Sequence, residues 1–202
     1  MSTRKERSEG TRAELVAAAT DLFAEHGFAG VGTEDVVRRA GLTRGALYHH
    51  FADKRELFAA VHERQERELI GRIQELMAGA GPTGAPGAPD PIDVLLAGMR
   101  AFLDACREPG FVRIALLDAP TVLGWARWRE VDERYGLGLV TTVLDGAMAA
   151  GALRRRDSRP LGHLLLAALG EAAQVIAHAD DPDRARADME AALLALLDGL
   201  RA

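Results

Sequence analysis

Apolar residues recur at three- and four-residue spacing along nearly the whole chain, and that regularity restricts it to helices. Leu15, Ala18, Ala19, Leu22 and Phe23 set the pattern, marking one buried face of a helix over about 11–26. Runs of Val, Ile and Thr of strand length are missing. Aromatics make up only 5% of the residues, whereas alanine, the best helix former, is abundant. Helical patterns follow at about 33–40, 43–51 and from 53 onward, then at 91–107, 109–117, 123–150, 158–179 and 182–201. The breaks fall at Gly27, Gly41, Pro109-Gly110, Pro120, Gly151, Pro160 and Pro182. Between the two series, residues 79–91 (GAGPTGAPGAPDP) read as a flexible or extended connector.

The 202 residues suffice for one large domain or for a small one joined to a larger one. One cysteine, Cys106, excludes an intramolecular disulfide and a Cys-cluster zinc site. No apolar run reaches the roughly 18–20 residues needed to span a bilayer, and the polar start is unlike a secretion signal. A cytoplasmic protein without a membrane partner is expected. No Gly-rich phosphate loop or nucleophile elbow appears, so no catalytic residue and no cofactor are expected. His62, Glu63 and Glu66 share a helix face but lack a second spaced histidine, so no metal is expected either.

The net charge of −5 hides an asymmetry. Arg38, Arg39, Arg44, Lys54 and Arg55 face a single acid, Asp53, within residues 38–55. A local basic stripe of this kind is the electrostatic footprint of a nucleic-acid binder, whatever the whole-chain balance. The stripe coincides with two short helices joined at Gly41, a helix-turn-helix pattern. Thr33 and Thr43 read as N-caps, Leu42 as a plug, and Leu47 and Phe51 as the buried side of the second helix. That leaves Arg44, Gly45, Ala46, Tyr48 and His49 facing a major groove. Arg44 suits a guanine or a phosphate, while Gly45 and Ala46 allow close approach to base edges. Thr33, Thr43 and Lys54 are placed to meet phosphates, the last at the start of the next helix.

The run Leu47-Tyr48-His49-His50-Phe51-Ala52-Asp53-Lys54-Arg55-Glu56-Leu57 is similar to the Leu-Tyr-x-His-Phe-x-x-Lys-x-x-Leu signature of the tetracycline-repressor (TetR) family of bacterial regulators. Leu22-Phe23-Ala24-Glu25-His26-Gly27-Phe28 and Thr33-x-x-x-Val37-x-x-Ala40-Gly41-Leu42-Thr43 resemble the family's first helix end and its turn. The resemblance implies an all-α protein with a three-helix helix-turn-helix domain over 1–56. A C-terminal helical bundle over 57–202 would bind a small effector and dimerise. It also implies a ligand-responsive transcriptional regulator, by default a repressor, that is not an enzyme and that binds double-stranded DNA at a palindromic operator. A helical small-molecule binding protein or enzyme, with the motif as a packing module, is the alternative.

The C-terminal half carries no signature that identifies an effector. Met99, Phe102 and Cys106 fall on one helix face, and Trp125, Trp128 and Tyr135 cluster within eleven residues, so a largely apolar or aromatic effector is expected there. Arg113, Asp118, Arg127, Asp132 and His163 are possible polar anchors. The last two helices carry leucine stripes, among them Leu161, Leu164, Leu165 and Leu169, that are too wide for one partner helix. A homodimer through those helices is the expected solution.

Overall fold

The computed structural model describes residues 4–78 and 90–201, so most of the connector lies outside the described residues. All regular elements among them are helical, apart from an isolated bridge between Leu153 and Arg201. The helices are α1 (Arg4–Gly30), α2 (Thr33–Ala40), α3 (Arg44–His50), α4 (Lys54–Ala78) and α5 (Pro91–Ala105). After these come α6 (Pro109–Phe111), α7 (Ala119–Leu123), α8 (Trp125–Asp132), α9 (Gly138–Ala149), α10 (Ser158–Ala177) and α11 (Pro182–Asp198). Two π-helical segments, Val112–Asp118 and Glu133–Leu137, join α6 to α7 and α8 to α9.

The chain forms two compact units. The first comprises residues 1–65 and 109–128, and the second residues 66–108 and 129–202. The helix-turn-helix unit is therefore built from two separate stretches of sequence. Its core joins Leu15, Ala19, Phe23, Val36, Leu47, Leu57 and Phe58 to Ile114, Ala119 and Leu123. Phe23, Phe28 and Phe58 meet at 5.1–5.9 Å between ring centroids, two of the three pairs edge to face.

Segment 109–128 departs from the expected helix end at Pro120. A proline ring inside an α-helix collides with the carbonyl four residues earlier. Here the preceding turn is π-helical, and the Ala119 N–H bonds to the Ile114 carbonyl, five residues back, so the helix continues through the proline. The single helix expected over 123–150 starts later. Gly124, at φ 80°, separates α7 from α8, and the π-helical turn then carries α8 into α9.

The second unit has its own core, with Ile92, Leu144, Ala147, Met148 and Leu153 at its centre. Gly162 on α10 lets that helix approach closely, since a Cβ there would lie 3.0 Å from Thr141 Cγ2 and 3.1 Å from Leu137 Cδ1. Charged side chains tie α11 to α5. Arg186 bonds Asp104 at 2.6 Å and Glu190 at 2.7 Å, and Arg100 bonds Glu190 at 2.6 Å. The two arginines hold the Glu190 carboxyl below the ordinary carboxylate range, Arg100 first.

Helix α10 corrects one expectation. It is 20 residues long with a mean hydropathy of 1.3 over its most apolar eighteen, enough by length and composition to cross a bilayer. His163 and Glu171 interrupt its apolar run without lowering that average enough to matter. Leu166, Ala172, Ala173 and Ile176 are buried, but Leu164 is 68% exposed, and so are Val175 and, on α11, Leu196 to lesser degrees.

Candidate nucleic-acid interface

Helix α3 owes its position to its ends. Gly41 adopts φ 66°, ψ 27°, a left-handed conformation that closes α2 and frees the chain to turn. Thr43 then caps α3, its hydroxyl accepting from the Ala46 N–H at 3.2 Å. Leu47 is fully buried and pins the helix to the core. The side chains of Arg44, Tyr48 and His49 point to solvent, as do Thr43 and Gly45, while Ala46 is half-buried. The reading face expected from helical phase is the face left open.

Thr33 does not cap α2. The cap is Gly32, whose N–H donates to Asp35 Oδ2 at 2.9 Å, and Thr33 is the first helical residue. Asp35 reaches back from the third helical position to the cap residue's own N–H, the N3 half of a capping box. The Thr33 hydroxyl instead hydrogen-bonds with Tyr48, and this bond, with the Arg44 guanidinium, holds the Tyr48 phenol below its usual range. Arg44 lies over the Tyr48 ring at 5.5 Å and bonds Glu34 Oε1 at 2.9 Å.

The basic stripe is engaged within the unit. Arg38 pairs with Asp35, and Arg39 lies 3.9 Å from Asp21 and 3.8 Å from Glu25. Arg55 donates to the Leu123 carbonyl at 3.0 Å. Lys54 is the most committed. Its ammonium donates to the carbonyls of Phe28 and Val31, both at 2.9 Å, and sits 4.1 Å from the Phe28 ring centre. Lys54 thus fastens the α1–α2 loop to the start of α4. The arginine pairs are solvent-exposed, so each contributes little and exchanges readily for a phosphate.

Segment 109–128 is clamped to the same unit at three further places. The Phe28 N–H donates to Asp118 Oδ2 at 2.7 Å, just beyond Gly27 at φ 71°. Arg127 makes a two-pronged pair with Glu56 at 2.5 and 2.9 Å, which holds that carboxyl below its ordinary range. Gln65 Nε2 reaches the Gly110 carbonyl at 3.5 Å. Two of the polar anchors proposed for an effector, Asp118 and Arg127, therefore already hold protein groups. A third, Arg113, has its guanidinium against Gly27. His163 lies 3.8 Å from Glu133, and the Asp132 side chain lies outside the described ones.

The six expected effector contacts divide between the units. Trp125 and Trp128 lie in the first, their rings tilted by 45° at 5.1 Å between centroids, with Trp125 67% exposed and Trp128 packed on the helix-turn-helix core. Met99 and Cys106 are buried and Phe102 and Tyr135 half-buried in the second. Burial pushes the Cys106 thiol up to about 12. Among the described residues, no group of three His, Cys, Asp or Glu side chains is placed to hold a metal ion. Sequence reasoning missed one feature: His62 is buried, with neither ring nitrogen hydrogen-bonded among the described residues.

A capped helix with an open polar face, positioned by the helix-turn-helix core, in a chain that also carries a separate helical unit, defines a DNA-binding helix-turn-helix protein. The family descriptions "Bacterial regulatory proteins, tetR family" and "Tetracyclin repressor-like, C-terminal domain" match residues 15–61 and 92–200. A TetR-family transcriptional regulator from Pectobacterium atrosepticum is 36% identical, with a TM-score of 0.84 over 100% of this chain and 98% of its own. The Transposon Tn10 TetC protein of Escherichia coli is 26% identical over 161 residues, 80% of this chain and 77% of that one. The HTH-type transcriptional repressor AcnR of Corynebacterium diphtheriae is 39% identical over 70 residues, 35% of each chain. The chain belongs to the TetR family of transcriptional regulators.

Proposed function

We propose that this regulator is a repressor that binds a palindromic operator as a homodimer and lets go when a small molecule binds. The observation that carries the reading is the open face of α3. Arg44, Gly45, Tyr48 and His49 stand clear of a helix whose Leu47 is fully buried, the geometry a groove-reading helix requires. Arg44 and Ala46 address bases, Thr33, Thr43, Tyr48 and His49 the backbone and groove walls, and Lys54 fixes the loop that presents them. Repression follows the similarity to AcnR, which is named a repressor.

The exposed Leu164, Val175 and Leu196 support pairing of α10 and α11 with their copies. The pairing sets the two α3 helices about one DNA turn apart, ~34–36 Å. The effector acts by favouring a dimer with a different spacing. The protein works in the cytoplasm, where its operator is, and has no catalytic role.

Selection of bound sequences from random oligonucleotides, followed by Arg44→Ala on the selected operator, tests the reading. The variant should lose about 1–3 kcal/mol and relax the preference at one base position in each half-site. An Arg44→Ala protein with unchanged affinity, preference and salt dependence would remove α3 as the reading helix.

A further inference from the structure

Three buried polar atoms on one face of α4 lack hydrogen-bond partners among the described residues: both ring nitrogens of His62 and Oε1 of Gln65. His62 is 1% exposed. The two residues are three apart, so their side chains lie one helical turn from each other. Native proteins rarely leave such atoms unpaired, so a group from outside the chain pairs with them. The Gln65 amide nitrogen already faces the Gly110 carbonyl, which fixes Oε1 as the end that remains open.

We propose that His62 and Gln65 form a polar subsite for a small, neutral, hydroxylated molecule, such as a phenol or an alcohol, and that this molecule is the effector. The proposal rests on the reading of the protein as an effector-responsive regulator, and it names the chemistry of that effector. A neutral imidazole offers one donor and one acceptor, and Gln65 Oε1 adds a second acceptor. A hydroxyl, which both donates and accepts, complements that set.

An anion does not fit. Burial drives the His62 pKa down to about 4, so the ring is uncharged near neutral pH, and the neighbouring Glu63 adds a negative charge rather than a positive one. The neighbouring carboxylates, Glu63 and Glu66, already take part in other interactions, so no free anion is left to hold a cation. The acids and arginines named for the first unit are paired elsewhere: Glu56 with Arg127, and Asp118 with the Phe28 amide.

The test uses the full-length protein with phenol, resorcinol and cyclohexanol as probes. The control is 1,3-dimethoxybenzene, which keeps the resorcinol frame but cannot donate. Binding is read by thermal shift and by the His62 ring nitrogen resonances in long-range 1H–15N spectra, assigned with His62→Leu. At least one hydroxylated probe should raise the melting temperature and move the His62 resonances, and the control should do neither.

His62→Leu and Gln65→Met should each weaken that probe about tenfold, while operator affinity without probe stays the same. Unmoved His62 resonances with every hydroxylated probe, equal binding of the control, or unchanged probe affinity in both variants would each overturn the subsite. If His62→Leu does not fold, His62→Gln supplies the assignment, and the wild-type spectra still decide the matter. The two readings fail separately. A protein that holds its operator but takes no probe through His62 loses only the subsite. One that takes the probe through His62 but holds no operator loses only the DNA reading.

Discussion

Replacing Lys54 by methionine separates a clamp from a DNA contact. The side chain keeps its length and apolar stem and loses only its charge and donors. In the structure two of those donors meet the carbonyls of Phe28 and Val31, and the charge lies over the Phe28 ring. A hydrogen bond to a charged group contributes roughly 1.5–3 kcal/mol, and a cation over an aromatic ring about 0.5–1 kcal/mol at a partly exposed site. The contacts share one ammonium and do not add, and water replaces part of the loss at a half-buried position. Lys54→Met should therefore destabilise the first unit by about 2–4 kcal/mol. Both tryptophans, Trp125 and Trp128, belong to that unit, so their fluorescence during urea unfolding reports on it directly. With a urea slope on the order of 2 kcal/mol per molar, the midpoint should fall by about 1–2 M. The logarithmic salt dependence of operator binding should hold, because a clamp neutralises no phosphate. An unchanged midpoint together with a salt slope reduced by about 0.9, the value of one phosphate, would refute the clamp and make Lys54 a DNA ligand.

Leu164→Glu combined with Leu196→Glu should convert a dimer into a monomer in sedimentation without loss of helical circular dichroism, since both leucines are mostly exposed in the single chain; a dimer that persisted would move the interface off α10 and α11. Gly162→Val should destabilise the second unit by about 1–3 kcal/mol through overpacking against Thr141 and Leu137. Gly162→Ala, which gains helix propensity, should cost much less, and thermal melts of the pair check the contrast. Glu190 has its folded pKa depressed, so its contribution is present above its unfolded value of 4.5 and is lost as pH falls through the lower folded value. Glu190→Gln should therefore show a flatter decline of stability than the wild type on acidification below about pH 5.

The positions that sequence made legible are those where one local rule decides the outcome. Gly41 takes the left-handed conformation expected of a residue that closes a helix, Gly27 kinks α1 at the expected break with φ 71°, and Thr43 caps α3 because its hydroxyl has an amide one turn ahead. The exposed face of α3 followed from helical phase alone. Thr33 falls one position inside the helix because Gly32 takes the cap, its N–H held by Asp35 from the third helical position. Nothing local announces that residues 109–128 pack with the helix-turn-helix core, since Ile114 and Leu123 read as apolar positions that would suit either unit. The partners of Lys54, 23 and 26 residues away, are likewise invisible to spacing. The same holds for His62: its position on an apolar face could be read from the pattern, but its lack of a partner could not.

The first unit is assembled from residues 1–65 and 109–128, and this bears on how such regulators can be recombined. A head excised after residue 65 would expose the surfaces that Ile114, Ala119 and Leu123 cover, and would free the Phe28 amide and Glu56 from Asp118 and Arg127. A chimera joining this reading head to another sensor needs two grafts, the N-terminal stretch and the 109–128 insert, or a foreign insert whose side chains match α1 and α4. Exchange of sensors between relatives is therefore constrained at three chain crossings rather than one. Shuffled libraries cut at a single junction should be dominated by insoluble products, whereas those that carry the insert along with the head should retain function.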